Sequence, residues 1–474
     1  MPEATSPAAS FDPSLCIVVT GGPGAGKTSL LARLAETQAA RGQRVEGVLA
    51  LAGHRTGPGV GAEEYWLRII GTDQELSWAV RDRSSHPPYS FEPETERKLR
   101  LWAQQLPARP PLLLVDEFGK LELAGRGLMP VWPHLAAARP QIVVIAVRAG
   151  LVERIEELLG RKFDLRIAAD SPDALVRLQE AAEAYGEWTR IGLIGGAAGG
   201  IEMSVGAWLH AARVPARGLA LGSLQGAMMT FAGFGLAQPG RVIWVPFISA
   251  GLKALSPAGS RVRPMIAICA QGLLYGSAVQ VLGWNAAGVA LGGALIGAWS
   301  VLQGFLLQYL LMGGELTRAY DAAVLLLAET GGIAAPGLPW LVGGWAVFCA
   351  ALTGGVALAA WRLRAPPAML RRLIEREQGA PAAPTRPRRR LHELAHWQFW
   401  LPLLIVSGTL LAAGGTWESV AWLAVRFVAV GFLLMTLVSF IRPAGWAEQL
   451  RRLGWWGPAL AVGGAFSRRE TGKK

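Results

Sequence analysis

From Trp188 onward the chain is dominated by stretches of roughly 20 residues with almost no charge, each long enough to cross a hydrocarbon core as a helix. Before Trp188 charges are frequent and apolar runs are short. A chain of 474 residues with 52% hydrophobic and 17% charged residues is too long for one ordinary domain and too apolar for a wholly soluble protein. Two regimes are therefore expected. The net charge of +12 resides largely in arginines beside the apolar segments, where the positive-inside rule accounts for it, so no nucleic-acid partner is expected. Cys16, Cys269 and Cys349 are scattered in apolar surroundings, and neither a disulfide framework nor a cysteine metal site follows. The leader MPEATSPAAS has no basic start and no apolar core, so a signal peptide is not expected and the N-terminal part should lie in the cytosol.

In that first part, the β-branched run Leu15 to Thr20 fits a buried strand and Leu30 to Ala39 reads as a helix. Between them, Gly21, Gly22, Pro23, Gly24, Ala25, Gly26, Lys27 and Thr28 fit G-x-x-x-x-G-K-[ST], with Ser29 following. Glycines let main-chain N–H groups converge on phosphate oxygens, and the helix N-terminus adds a favourable partial charge. Lys27 is expected to reach the β- and γ-phosphates and Thr28 to ligate Mg²⁺.

A second element lies in PLLLVDEFGKLEL, residues 111–123, where four apolar residues run directly into Asp116 and Glu117. A parallel strand ending at its carboxyl edge has this form. Asp116 is expected to hold Mg²⁺ through water and Glu117 to orient an attacking water as general base. The run QIVVIAVRAG reads as another buried strand, with Arg148 at its end in a position to neutralise charge on a γ-phosphate. Alternating strand and helix signals give a mostly parallel α/β sandwich with helices on both faces.

The pairing of GGPGAGKTSL with DEFGKLEL resembles the nucleoside-triphosphatase family known from thermophiles and as the cancer-related NTPase. Members carry a short P-loop domain and a motif close to D-E-I-G-[KP]-[ML]-E-L. Phe118 stands at the isoleucine position, and Gly119, Lys120, Leu121 and Glu122 match as they stand. Of the family's Thr-x-Glu-x-Arg-like element only Arg55 remains. The resemblance covers residues 14–170 and implies Mg²⁺-dependent hydrolysis of nucleoside triphosphates, ATP or GTP, to diphosphates. Neither an LSGGQ-like signature nor an NKxD guanine reader is present, which argues against an ABC motor and a signalling GTPase.

A linker helix is expected over 171–188, starting at Ser171-Pro172. Expected spans are 190–211, 217–237, 241–256, 264–283, 286–312 and 337–361 within a six-span domain, 189–362. Two more, 398–414 and 418–441, follow a basic linker, 363–397, and precede a basic tail, 442–474. Lys253, Arg261 and Arg263 would fall in an outward loop under this count, unless the short third segment is tilted or re-entrant or the loop serves an anionic ligand. Polar residues within spans carry the most information: Glu202 and His210 on a similar helix face, and Asn285, form a possible ligand site. In hydropathy and layout the first six spans resemble the substrate-binding components of energy-coupling-factor vitamin transporters, which implies small-molecule uptake. His392-Glu-Leu-Ala-His396 matches H-E-x-x-H, but a third zinc ligand is not evident and a solvated helix is the simpler reading.

These readings combine into a multi-pass inner-membrane protein with an N-terminal α/β P-loop NTPase and a C-terminal all-α transmembrane bundle. Its expected partners are the triphosphate, an unidentified small molecule, the bilayer, and a separate transporter subunit or a second copy. The alternative is a membrane-anchored NTPase acting as a sensor or nucleotide-processing enzyme, with a scaffolding membrane domain.

Overall fold

The computed structural model describes residues 15–51, 62–72, 74–82, 89–211, 217–253, 262–331, 337–379, 397–439 and 445–470. They divide into two compact units: one runs to Trp188 and includes Glu448–Leu460, and the other comprises Thr189–Ala447 and the chain from Ala461.

The first unit is built on a sheet. Its elements in chain order are β1 (Leu15–Gly21), α1 (Lys27–Ala40), β2 (Val45–Leu51), β3 (Ala62–Ile70), β4 (Glu75–Asp82), β5 (Tyr89–Phe91), α2 (Pro93–Gln104), β6 (Leu112–Phe118), α3 (Lys120–Leu123), α4 (Trp132–Ala137), β7 (Ile142–Arg148), α5 (Val152–Leu159) and β8 (Leu165–Ala168). The strand order is β5-β4-β3-β2-β6-β7-β1-β8. β2, β6, β7, β1 and β8 pair in parallel, while β3, β4 and β5 extend the sheet antiparallel beyond β2. The central strands are near-continuous apolar runs because helices packed against the sheet exclude water from them: Leu15, Ile17, Val18, Val19, Leu113, Leu114, Val115 and Ile145 are all buried. Phe118 meets Trp132 edge-on at 5.2 Å between ring centres, which gives the aromatic a packing partner at this position.

Part of the C-terminal segment completes this unit. Asp164, with no exposed side-chain surface, accepts hydrogen bonds from the Cys16 N–H at 2.9 Å, from Arg161 at 2.9 Å and from Arg451 Nε at 2.6 Å. Lys162 lies 3.6 Å from Glu448. Burial pushes the Cys16 thiol up to about 12, so this cysteine is an inert core side chain.

The remaining elements are helical. α6 (Ala174–Ala211) is one helix of 38 residues that merges the expected linker helix with the first expected span. It is followed by α7 (Arg217–Gly233), α8 (Trp244–Lys253), α9 (Val262–Leu282), α10 (Ala286–Met312), α11 (Glu315–Gly331), α12 (Leu338–Leu363), α13 (Ala368–Gly379), α14 (Trp397–Ala412), α15 (Trp417–Ser439), α16 (Trp446–Arg452) and α17 (Trp456–Glu470). Among the described residues three helical stretches, Pro264–Leu282, Ala286–Met312 and Leu338–Leu363, are long and apolar enough to cross a membrane, which suggests insertion.

Over the third expected span the described residues form a 3₁₀ turn followed by α8 as far as Lys253. α8 has 10 residues, about 15 Å of helix, and follows a 3₁₀ turn over Pro239–Ile243. Its last residue, Lys253, is 5% exposed rather than free in a loop, because its ammonium reaches a main-chain carbonyl inside the second unit. Arg261 lies outside the described residues, as does the side chain of Arg263. α11 occupies a segment that no expected span covered; its Glu315, Arg318 and Asp321 keep its mean hydropathy low.

Arg451→Ala removes one of three donors to a buried carboxylate and is expected to destabilise the first unit by about 1–3 kcal/mol. Hydrogen exchange should show lower protection over β1 in the full-length variant than in the wild type; unchanged protection would refute an integral role for the tail segment.

Candidate nucleotide site

β1 delivers the chain to Gly21 at the carboxyl edge of the sheet, and α1 begins at Lys27. The intervening loop reverses through left-handed backbone at Gly24 (φ +75°) and Gly26 (φ +80°), conformations that glycine adopts without steric cost. Gly22, Pro23, Gly24 and Gly26 are exposed, Ala25 is half-buried, and Ser29 is exposed in the first turn of α1. The main-chain N–H groups at the start of α1 therefore lie beside an exposed glycine loop, an arrangement suited to an anion. Lys27 folds onto its own loop, its Nζ donating to the carbonyls of Gly22 at 2.8 Å and Gly21 at 3.2 Å. Those bonds hold the ammonium at the mouth of the loop, where phosphate oxygens would replace the carbonyls as acceptors.

Asp116 binds this loop to the rest of the sheet. Its side chain is hydrogen-bonded to the Thr28 side chain, accepts the Ala50 N–H at 3.1 Å on Oδ2, and accepts the Glu117 N–H at 3.0 Å on Oδ1. Burial raises its pKa from 3.8 to about 6; the bonds from Thr28 and the two N–H groups oppose the rise, and the nearby Glu117 charge adds to it. Thr28 and Asp116 thus converge on one point.

Glu117 is held differently. The β6–β7 ladder shifts register between Val115 and Phe118, and the backbone at Glu117 takes a left-handed φ of +56°, unusual for a residue with a side chain. The bulge turns Glu117 out to solvent while Asp116 and Phe118 remain buried. Strain of this kind costs about 1–3 kcal/mol and persists where the surroundings over-determine it. Glu122 supplies that constraint: 3% exposed, its carboxylate accepts the N–H of Gly119 at 2.6 Å and of Leu128 at 3.0 Å, which fixes the turn after the bulge. Burial raises the Glu122 pKa, and the two N–H bonds pull it back.

Arg148 is the ladder partner of Gly21, exposed at the end of β7 and directly beside the first glycine of the loop. The structure therefore gathers Lys27, Thr28, Asp116, Glu117 and Arg148 at one edge of the sheet. The Ala50 N–H on β2 and the turn-holding role of Glu122 were absent from the sequence reading. A main-chain donor leaves no compositional signal, whereas Glu122 sits in a motif whose match gave no role for it. Arg55, His392 and His396 lie outside the described residues.

The oxygen donors Thr28 and Asp116 suit a hard cation such as Mg²⁺, which binds through one or two protein oxygens with waters and substrate phosphates completing its shell. Among the described residues no group of three or more His, Cys, Asp or Glu could hold a metal unaided.

Of the three expected ligand residues in the second unit, the side chains of two are described. Asn285 is the N-cap of α10, accepting the Gly288 N–H at 2.9 Å and donating to the Leu282 carbonyl at 2.6 Å, so its polar atoms are engaged locally. Glu202 is half-buried on α6, and the side chain of His210 on the same helix lies outside the described residues.

A parallel strand, a glycine loop opening a helix, and an acidic pair at the edge of the next strand but one define a P-loop-type nucleotide-binding domain. Residues 16–169 match the family model described as NTPase, which supports nucleotide hydrolysis as the chemistry of this domain. Comparisons with curated proteins and with solved structures found no match.

Two outcomes follow from this geometry. Metal binding needs the ionised Asp116, whose folded pKa lies above its unfolded value, so the carboxylate is gained as pH rises through about 6. Apparent Mg²⁺ affinity, titrated in the presence of nucleotide, should fall on acidification across that range and be weak at every pH in Asp116→Asn; a flat profile in the wild type would contradict the assignment. Glu117→Gly should relieve the left-handed backbone, leaving stability unchanged or higher by up to about 1 kcal/mol, while hydrolysis is lost. A clear drop in melting temperature would show that the strain reading is wrong.

Proposed function

We propose that the chain is a membrane-bound nucleoside triphosphatase that hydrolyses ATP or GTP to the diphosphate and phosphate, and that its helical unit binds or moves a small molecule across the inner membrane. The observation that carries the first half is the bond between Asp116 and Thr28, which joins the phosphate loop to the acidic pair at one edge of the sheet. The second half rests on the three long apolar helices and on polar groups buried among helices of the same unit.

In this reading the loop N–H groups and Lys27 bind the β- and γ-phosphates, with the ammonium exchanging the Gly21 and Gly22 carbonyls for phosphate oxygens. Thr28 and Asp116 would hold Mg²⁺, which when bound neutralises charge on the β- and γ-oxygens. Glu117, exposed and fixed by its backbone, accepts a hydrogen bond from the attacking water and then its proton. Arg148, beside Gly21, lies where a guanidinium offsets negative charge on the transferred group.

Phosphate release by the full-length protein from Mg-ATP and Mg-GTP is the direct assay. Lys27→Ala and Glu117→Gln should each lower the rate by at least about 100-fold, the scale expected for loss of a phosphate clamp or a general base. Rates equal to the wild type would sink the proposal.

A further inference from the structure

α6 and α8 approach closely in the second unit because α6 presents glycines to its neighbour. A Cβ added to Gly195 would lie 2.8 Å from Ile248 Cβ, and one on Gly199 would lie 2.9 Å from Leu252 Cβ and 3.3 Å from Ser249 Cα. Side chains there would force the helices apart. The contact ends in a pair of opposite charges: one turn beyond Gly199 stands Glu202, and one turn beyond Ser249 stands Lys253.

These charges face each other without closing. Lys253 Nζ donates to the main-chain carbonyl of Glu202 at 2.7 Å, not to its carboxylate. The carboxylate feels the lysine charge, yet among the described residues no N–H or O–H donates to it and no ion pair forms within 4.0 Å. Lys253 has three N–H bonds to give, and among the described residues one is used. Four residues before it, on the same face of α8, Ser249 is 1% exposed and its Oγ is buried with no hydrogen-bond partner. Buried polar groups are nearly always satisfied, and buried charges are paired or ligated. Lys253, the buried Ser249 hydroxyl and the half-buried Glu202 carboxylate thus form a polar cluster with unused hydrogen-bonding capacity among the described residues.

The charges select what completes it. An anion would meet Lys253 but be repelled by Glu202, a cation would meet the reverse, and an apolar solute would leave both unsatisfied in low dielectric. A small zwitterion satisfies both at once, its ammonium on Glu202 and its carboxylate on Lys253, with Ser249 supplying a further hydrogen bond. We infer that the α6–α8 contact is a binding site for a small zwitterion of the amino-acid type, formed by Glu202, Lys253 and Ser249. This rests on the proposed small-molecule role of the helical unit and gives that ligand a chemical class.

The test is equilibrium dialysis of the full-length protein in lipid nanodiscs against a ¹⁴C-labelled mixture of the common L-amino acids, with ¹⁴C-acetate and ¹⁴C-methylamine as single-charge probes. The wild type should retain at least one amino acid saturably, at about one per chain, and neither single-charge probe. Glu202→Gln and Lys253→Met, each near-isosteric, should weaken retention at least 10-fold. Ser249→Ala, which deletes one atom and is the mildest of the three, should weaken it several-fold while the protein elutes as the wild type in gel filtration. Retention unaffected in a well-folded Ser249→Ala and in both charge variants would place the ligand elsewhere and overturn the inference. Retention of acetate or methylamine in preference to amino acids would overturn the zwitterion while sparing a small-molecule role. Retention of none of the probes would remove the zwitterion site, and phosphate release measured on the same nanodiscs would then show separately whether the triphosphatase half stands.

Discussion

The nucleotide site depends on one buried carboxylate. Asp116 is joined to Thr28 on the phosphate loop, to Ala50 on β2 and to Glu117 on its own strand, so three separately folded stretches are referenced to a single pair of oxygens. β7 lies between β6 and β1, and the side-chain bond to Thr28 reaches across that intervening strand. Burial of this acid disfavours its charged form and raises its pKa to about 6. In the proposed reading a divalent cation arriving with the nucleotide would favour the charged form and offset that cost.

The neighbouring residue shows how the sheet makes room for chemistry. A regular β6 would point successive side chains to opposite faces, burying one and pressing the other into the helices. The register shift after Val115 and the left-handed turn at Glu117 break that alternation locally and put an acid into solvent at the edge of a buried strand. Glu122 then secures the turn through two main-chain N–H bonds, and Phe118 anchors the far side of the bulge against Trp132. The strain at one residue is held by packing and hydrogen bonds at three others.

Much of this was legible in the sequence because it is written locally. The glycine loop between an apolar run and a helix, and the four apolar residues ahead of Asp116, each fix an element and its end within a few positions. What was not legible depends on long-range closure. Arg451 reaches Asp164 across 287 residues, and nothing in either local sequence announces the partner. Lys253 read as a loop charge because hydropathy measures the cost of a lysine in lipid without seeing a carbonyl that could receive it. Asn285 read as a ligand residue for the converse reason: its cap geometry is set by Leu282 and Gly288, and a polar residue beside a span looks the same from composition whether it caps or binds.

Satisfaction of buried acids separates structure from function across both units. Asp164 is wholly enclosed, and its oxygens are filled by two guanidinium groups and a main-chain N–H; Glu122 is filled by two N–H groups. Both are complete without any further partner, as structural acids should be. Asp116 is bonded by two main-chain N–H groups and the Thr28 side chain, and burial still raises its pKa. Glu202 stands at the other end, with a lysine nearby and no donor among the described residues. In the proposed reading a hard cation would complete the shell of Asp116 and a zwitterion that of Glu202.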